Sequence, residues 1–180
     1  MPDIDAMFDA MRGAKMGRKG QWLTDGQYLI KLSFLGVKKK EIGSGTNGIV
    51  EFEVVKTSNP EHPVGSTRSW VRSMDSFSFW DNIMAIVLSA TGFDPRQLKP
   101  EDTELRNDAT TLAAAICGGE KAIAVLKAKG FDNPNELLLG KLIKVECRTV
   151  PTRGDPTKGR PPGQFTLHDW SPAPAETQAA

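Results

Sequence analysis

The sequence predicts a mainly β domain with a helical insertion, a five-stranded barrel whose elements run β-β-β-α-β-β. Three observations predict it. Apolar and polar residues alternate, as in half-buried strands, in three segments before residue 76 and in two after residue 136. Between them the apolar period changes to that of helices, and clusters of Gly, Pro and Asn separate the segments where tight turns are needed.

In "DGQYLIKLSFLGV" Tyr28, Ile30, Leu32 and Phe34 share one face, with Lys31 and Ser33 on the other, so Phe34 is expected in the core. The turn "EIGSGTNG" leads to "IVEFEVVKTS", where Val50, Phe52 and Val54 face in and Glu51 and Glu53 face out. Gly43, Gly45 and Gly48 match GxGxxG, but a dinucleotide fingerprint must open a helix, and here strand residues follow. After "NPEHPVG" comes the third strand, "TRSWVRSM".

Helical periodicity starts at "SFSFWDNIMAIVLSATG", which sets Phe79, Trp80, Ile83, Met84 and Val87 on one side. Ser78 and Asp81 fit a capping box, and Gly92 suits the stop. "FDPRQLKPEDTELRND" reads as an exposed connection, and "ATTLAAAICGGEKAIAVLKAKG" as a helix broken at Gly118 and Gly119. In "GKLIKVECRTV" Ile143, Val145 and Cys147 face in, and with "GQFTLHDW" this segment forms a long hairpin. The organisation predicted is a basic mobile arm at 1–21, a domain at 22–171 with its insertion at about 76–136, and a disordered tail at 172–180.

Composition narrows the function. Hydrophobic content of 39% and charged content of 25% are ordinary for a soluble globular chain. No apolar run approaches a membrane helix, and the acidic start is unlike a signal peptide, so a cytoplasmic site is expected. Cys117 and Cys147 have no metal-ligand spacing and read as buried free thiols. A net charge of +1 gives no global pull on polyanions, so any nucleic-acid site must come from local clusters.

Such clusters exist. Lys38, Lys39 and Lys40 adjoin in "GVKKKE", and Arg148, Arg153, Lys158 and Arg160 punctuate the last hairpin against the single Asp155. On the third strand Arg68, Trp70 and Arg72 share one face by the alternation of strand side chains. An indole between two guanidiniums fits a base-stacking platform flanked by phosphate contacts. Trp22 and Trp170 read instead as packing at the barrel ends, Phe52 and Trp80 as core.

Enzymatic readings have less support. His62 lies in a turn, and His168 and Asp169 point to opposite faces of a strand. GxSxG, HExxH and P-loop patterns are absent, and Glu51 and Glu53 read as a solvated face rather than metal ligands. Neither catalysis nor a cofactor or metal is expected.

Five strands with a helix between the third and fourth is the order of an OB-fold, whose strand face and flanking loops bind oligonucleotides or oligosaccharides. The run of "DGQYLIKLSF", "IVEFEVV", "PVGSTRSWV", an amphipathic helix and "LLGKLIKVECRTV…GQFTLHDWSP" resembles single-stranded DNA-binding proteins encoded by tailed bacteriophages, over residues 22–171 in outline. The resemblance implies an OB-fold that coats and protects single strands in phage replication or recombination, in the cytoplasm of the infected host. It also implies replication or recombination proteins as partners. A homo-oligomer is left open. The end "SPAPAETQAA", with one acid, departs from the acidic tail many such proteins carry. The alternative is a phage structural or assembly protein whose barrel makes protein contacts.

Overall fold

The computed structural model describes residues 22–40, 44–76, 78–154 and 163–174. The basic arm, most of the tail, and Lys158 and Arg160 lie outside the described residues. The elements are β1 (Gly26–Lys39), β2 (Thr46–Thr57), β3 (Thr67–Ser73), α1 (Phe79–Ala90), α2 (Thr103–Ile116), α3 (Glu120–Ala128), β4 (Leu142–Thr152) and β5 (Gly163–Pro172). Single 3-10 turns at Pro95–Gln97 and Pro134–Leu137 flank the α2–α3 pair.

The strands form one antiparallel sheet in the order β3-β2-β1-β4-β5. β1 is long enough to serve two neighbours, pairing β4 through its first residues and β2 over nearly its full length. The sheet is open. β3 and β5 are its edges, and among the described residues no backbone pairing joins them.

Two irregularities in the β1–β2 ladder decide which side chains are buried. At the second, Leu32 pairs with Phe52 and Phe34 with Glu51, leaving Ser33 unopposed. Such a bulge shifts the alternation by one residue. Leu32 and Leu35 therefore both enter the core, while Phe34 turns outward and is 41% exposed. That corrects the strict alternation, which put Phe34 inside.

The helix-covered face of the sheet buries Tyr28, Ile30, Val50, Phe52, Val54, Ile143, Val145 and Cys147, as the period-two pattern predicts. Against it α1 lays Phe79, Ile83, Ile86 and Val87, packing chiefly on β5 and β4. Asn82 Oδ1 accepts the indole N–H of Trp170 at 2.8 Å, so Trp170 is core. Trp80, expected in the core, is on the far side of α1 and 43% exposed.

Helix ends follow the sequence in part. The N–H groups of Gly92 and Phe93 reach the carbonyls of Ser89 and Leu88, with Gly92 at φ +88°, a left-handed turn that glycine adopts without strain. The capping box does not form, because the Ser78 hydroxyl faces an arginine of β3 instead. α2 takes in Thr103 to Asp108, which the sequence reading left as a connection. It ends before Gly118 and Gly119, and α3 follows. Burial pushes the Cys147 thiol up to about 12 and the half-buried Cys117 thiol up to about 11, so both are poor nucleophiles at neutral pH.

Candidate nucleic-acid interface

The alternation that groups Arg68, Trp70 and Arg72 is correct, but the face they share is the helix-covered one. Their ladder partners are Phe52, Val50 and Gly48, all buried. Trp70 is 3% exposed and stacks on Phe79 with ring centroids 6.1 Å apart and planes 21° from parallel. Gly48 makes room for that stack, since a Cβ there would come within 2.2 Å of the Phe79 ring. No base can reach the Trp70 indole in this arrangement. The expectation that it forms a stacking platform is corrected: an indole opposite a buried valine gains more from burial than from solvent.

Both arginines have structural partners. Arg68 donates from Nε to His62 Nδ1 at 3.0 Å and from Nη1 to the Thr67 carbonyl at 2.8 Å. On the other side of the ring, His62 Nε2 faces the Thr24 backbone N–H at 3.1 Å and Thr24 Oγ1 at 2.9 Å. His62 is 2% exposed, and burial together with Arg68 holds its pKa below the ordinary histidine value. His62 thus fastens the β2–β3 turn to the segment preceding β1.

Arg72 acts as a clasp. It donates to Ser78 Oγ from Nε at 3.2 Å and from Nη2 at 2.8 Å, and its guanidinium lies 4.7 Å from the centre of the Phe165 ring on β5. Burial, reinforced by Arg72, pushes the His168 pKa down to about 4. One side chain of the edge strand β3 thus reaches a ring of the other edge strand, β5, without a backbone ladder between them. In the flat sheet order the β1–β2 and β4–β5 hairpins sit at opposite ends of β1. The Arg72–Phe165 contact links the two ends, since Arg72 is next to the first hairpin and Phe165 near the start of β5.

The predicted basic residues of those hairpins sit at the surface. Lys38 and Lys39 are exposed at the end of β1, and Lys40 is 3.5 Å from Asp75. Arg148 is exposed with Glu146 at 3.7 Å, and Arg153 is exposed just past β4.

Sequence reasoning missed an exposed aromatic on the sheet itself, and Trp22, expected to pack at a barrel end, is also exposed. Phe34 stands on the outer face of the sheet with its ring over Gly36, where a Cβ would come within 2.7 Å of the phenyl carbons. On the same face Gly36 pairs with Ile49 and Ile49 with Val71, and Lys38 is two residues beyond Gly36. An exposed ring, two half-buried aliphatic neighbours and a basic hairpin thus adjoin. Glu51, opposite Phe34, and Glu53, opposite Lys31, put acids on the β2 side of the ring, so an anionic chain on this face would have to keep to the side of β1 away from β2. The phenylalanine-X-glycine spacing was the available signal, because a strand glycine often marks a place where a neighbouring ring lies across the backbone.

Among the described residues no group of three or more His, Cys, Asp or Glu side chains could hold a metal ion. The chain matches no protein-family model, and no curated protein is similar to it in sequence.

Proposed function

We propose that the protein binds single-stranded DNA without sequence preference, on the outer face of β1 to β3 around Phe34 and along the Lys38–Lys40 hairpin. The observation that carries this reading is the exposed Phe34 ring packed against Gly36 beside that hairpin. Any base offers a π-face to such a ring, and lysines follow the sugar-phosphate chain regardless of sequence. The five-stranded antiparallel sheet, with Arg72 of one edge strand reaching Phe165 of the other, supports an OB-type, partly open barrel, the architecture in which the strand face and the first and last hairpins bind oligonucleotides. The role proposed is protection of single strands during phage replication or recombination in the host cytoplasm, without catalysis.

A labelled oligothymidylate titrated with protein tests it by fluorescence anisotropy. Saturable binding that weakens with salt and far exceeds binding to a duplex of equal length supports the reading. Equal or absent binding to both overturns it.

A second reading, an assembly protein, draws on the unpaired outer edges of β3 and β5, which could each accept a strand from another chain. Defined oligomers forming without nucleic acid, with no oligonucleotide binding, would favour it.

A further inference from the structure

On the outer face, one rung of the sheet carries Lys56 of β2, Leu29 of β1 and Lys144 of β4 as direct ladder partners. Leu29 is only 7% exposed although it points away from the core, and both lysines are exposed. Together with Pro174 they line a cavity of about 290 Å³. Neither lysine has a carboxylate partner among the described residues. With strands spaced about 4.8 Å apart, the backbones of the two lysines stand on the order of 10 Å from each other, on either side of Leu29.

The rung belongs to the same face as Phe34. Lys31 is two residues along β1 from Leu29 on that face, and Phe34 follows about 17 Å from Leu29 along the strand. Between the rung and Phe34 the acids Glu51 and Glu53 are on the β2 side, while on β4 Glu146, opposite Gln27, is on the same face but beyond the rung, away from Phe34.

We infer that the Lys56–Leu29–Lys144 rung is a second contact for the same single strand, which runs lengthwise along β1 from this rung to Phe34. Lys56 and Lys144 each neutralise a phosphate, and the nucleotide between them rests its sugar or base on Leu29. This rests on the single-strand reading proposed above, and extends the interface to a cavity at the opposite end of β1 from the triple-lysine hairpin.

The test compares Lys56→Gln/Lys144→Gln with a charge-matched control, Lys121→Gln/Lys127→Gln on α3, in oligothymidylate titrations at several salt concentrations. Each phosphate contact on a single strand contributes a slope of about 0.7 in log affinity against log salt. The inference predicts that the rung variant loses about 1.4 from the wild-type slope while the control keeps it. Each single rung substitution should lose about 0.7, which covers the case of a poorly folding double variant. Equal slopes and affinities for rung and control variants overturn the inference alone. Wild-type protein that binds no single strand overturns the underlying function and the inference with it.

Discussion

Replacing Trp70 with Ala should destabilise the protein rather than disarm it. The indole is 3% exposed, opposite Val50 and stacked on Phe79. A buried tryptophan removes about 150–250 Å² from water, which at about 25 cal/mol per Å² is roughly 4–6 kcal/mol. The alanine methyl retains a little of that, the lost ring stack adds to the cost, and partial collapse of the cavity offsets some of it. The expected net destabilisation is about 3–5 kcal/mol. Total stability for a domain of this kind is about 5–15 kcal/mol, so the variant would lose from about a fifth to all of it. Urea denaturation followed by circular dichroism reads this directly: at about 2 kcal/mol per molar, the midpoint should fall by about 1.5–2.5 M. Trp70→Phe, which keeps a ring against Phe79, should cost less than half as much. An alanine variant with a wild-type midpoint and lost oligonucleotide binding would refute the placement of Trp70 in the core.

Three further outcomes are expected. Gly48→Ala puts a methyl within 2.2 Å of the Phe79 ring and should cost about 1–3 kcal/mol by overpacking, read as a lowered melting temperature. Arg72→Ala removes two hydrogen bonds to Ser78 and the cation over Phe165, so limited proteolysis should cut faster around β5 than in wild-type protein. Stability should also fall with acidification: His168 sits at about 4 when folded against 6.5 unfolded, and His62 is lowered too, so the unfolded chain binds more protons between those values. The contribution is fully present above pH 6.5 and is lost as pH falls toward 4. For His168 alone it amounts to at most about 2 kcal/mol between pH 7 and 5. Urea midpoints at the two pH values check it, and His168→Gln should flatten the difference.

Much of the fold was legible because alternation and turn chemistry are local. Tyr28, Ile30, Val50, Phe52, Val54, Ile143, Val145 and Cys147 were assigned to the core from period two alone and are buried. The helical break at Gly118 and Gly119 and the stop at Gly92 follow from the same local logic. What failed depended on partners. Period two states which residues share a face but not which face is covered, and for Arg68, Trp70 and Arg72 that is decided by Phe52, Val50 and Gly48 across the ladder. Phe34 was lost to a bulge, since a single unopposed serine inverts every residue after it.

The helix face was misread for a related reason. Phe79 and Trp80 are adjacent and equally apolar, and the space opened by Gly48 selects Phe79 for the core. The Arg72 clasp was out of reach because Phe165 and Ser78 are distant in sequence from each other and meet only when the sheet edges approach.

The claim that the outer face around Phe34 binds single-stranded DNA is tested most directly by comparing Phe34→Ala with Trp80→Ala in oligothymidylate anisotropy titrations. Both rings are exposed to a similar degree, 41% and 43%, so both variants should stay folded. Loss of one stacked base is worth about 1–3 kcal/mol, so Phe34→Ala should weaken binding roughly 5- to 150-fold. Trp80→Ala, on α1, should leave it within twofold. Unchanged affinity in the Phe34 variant, or an equal loss in both, would contradict the account.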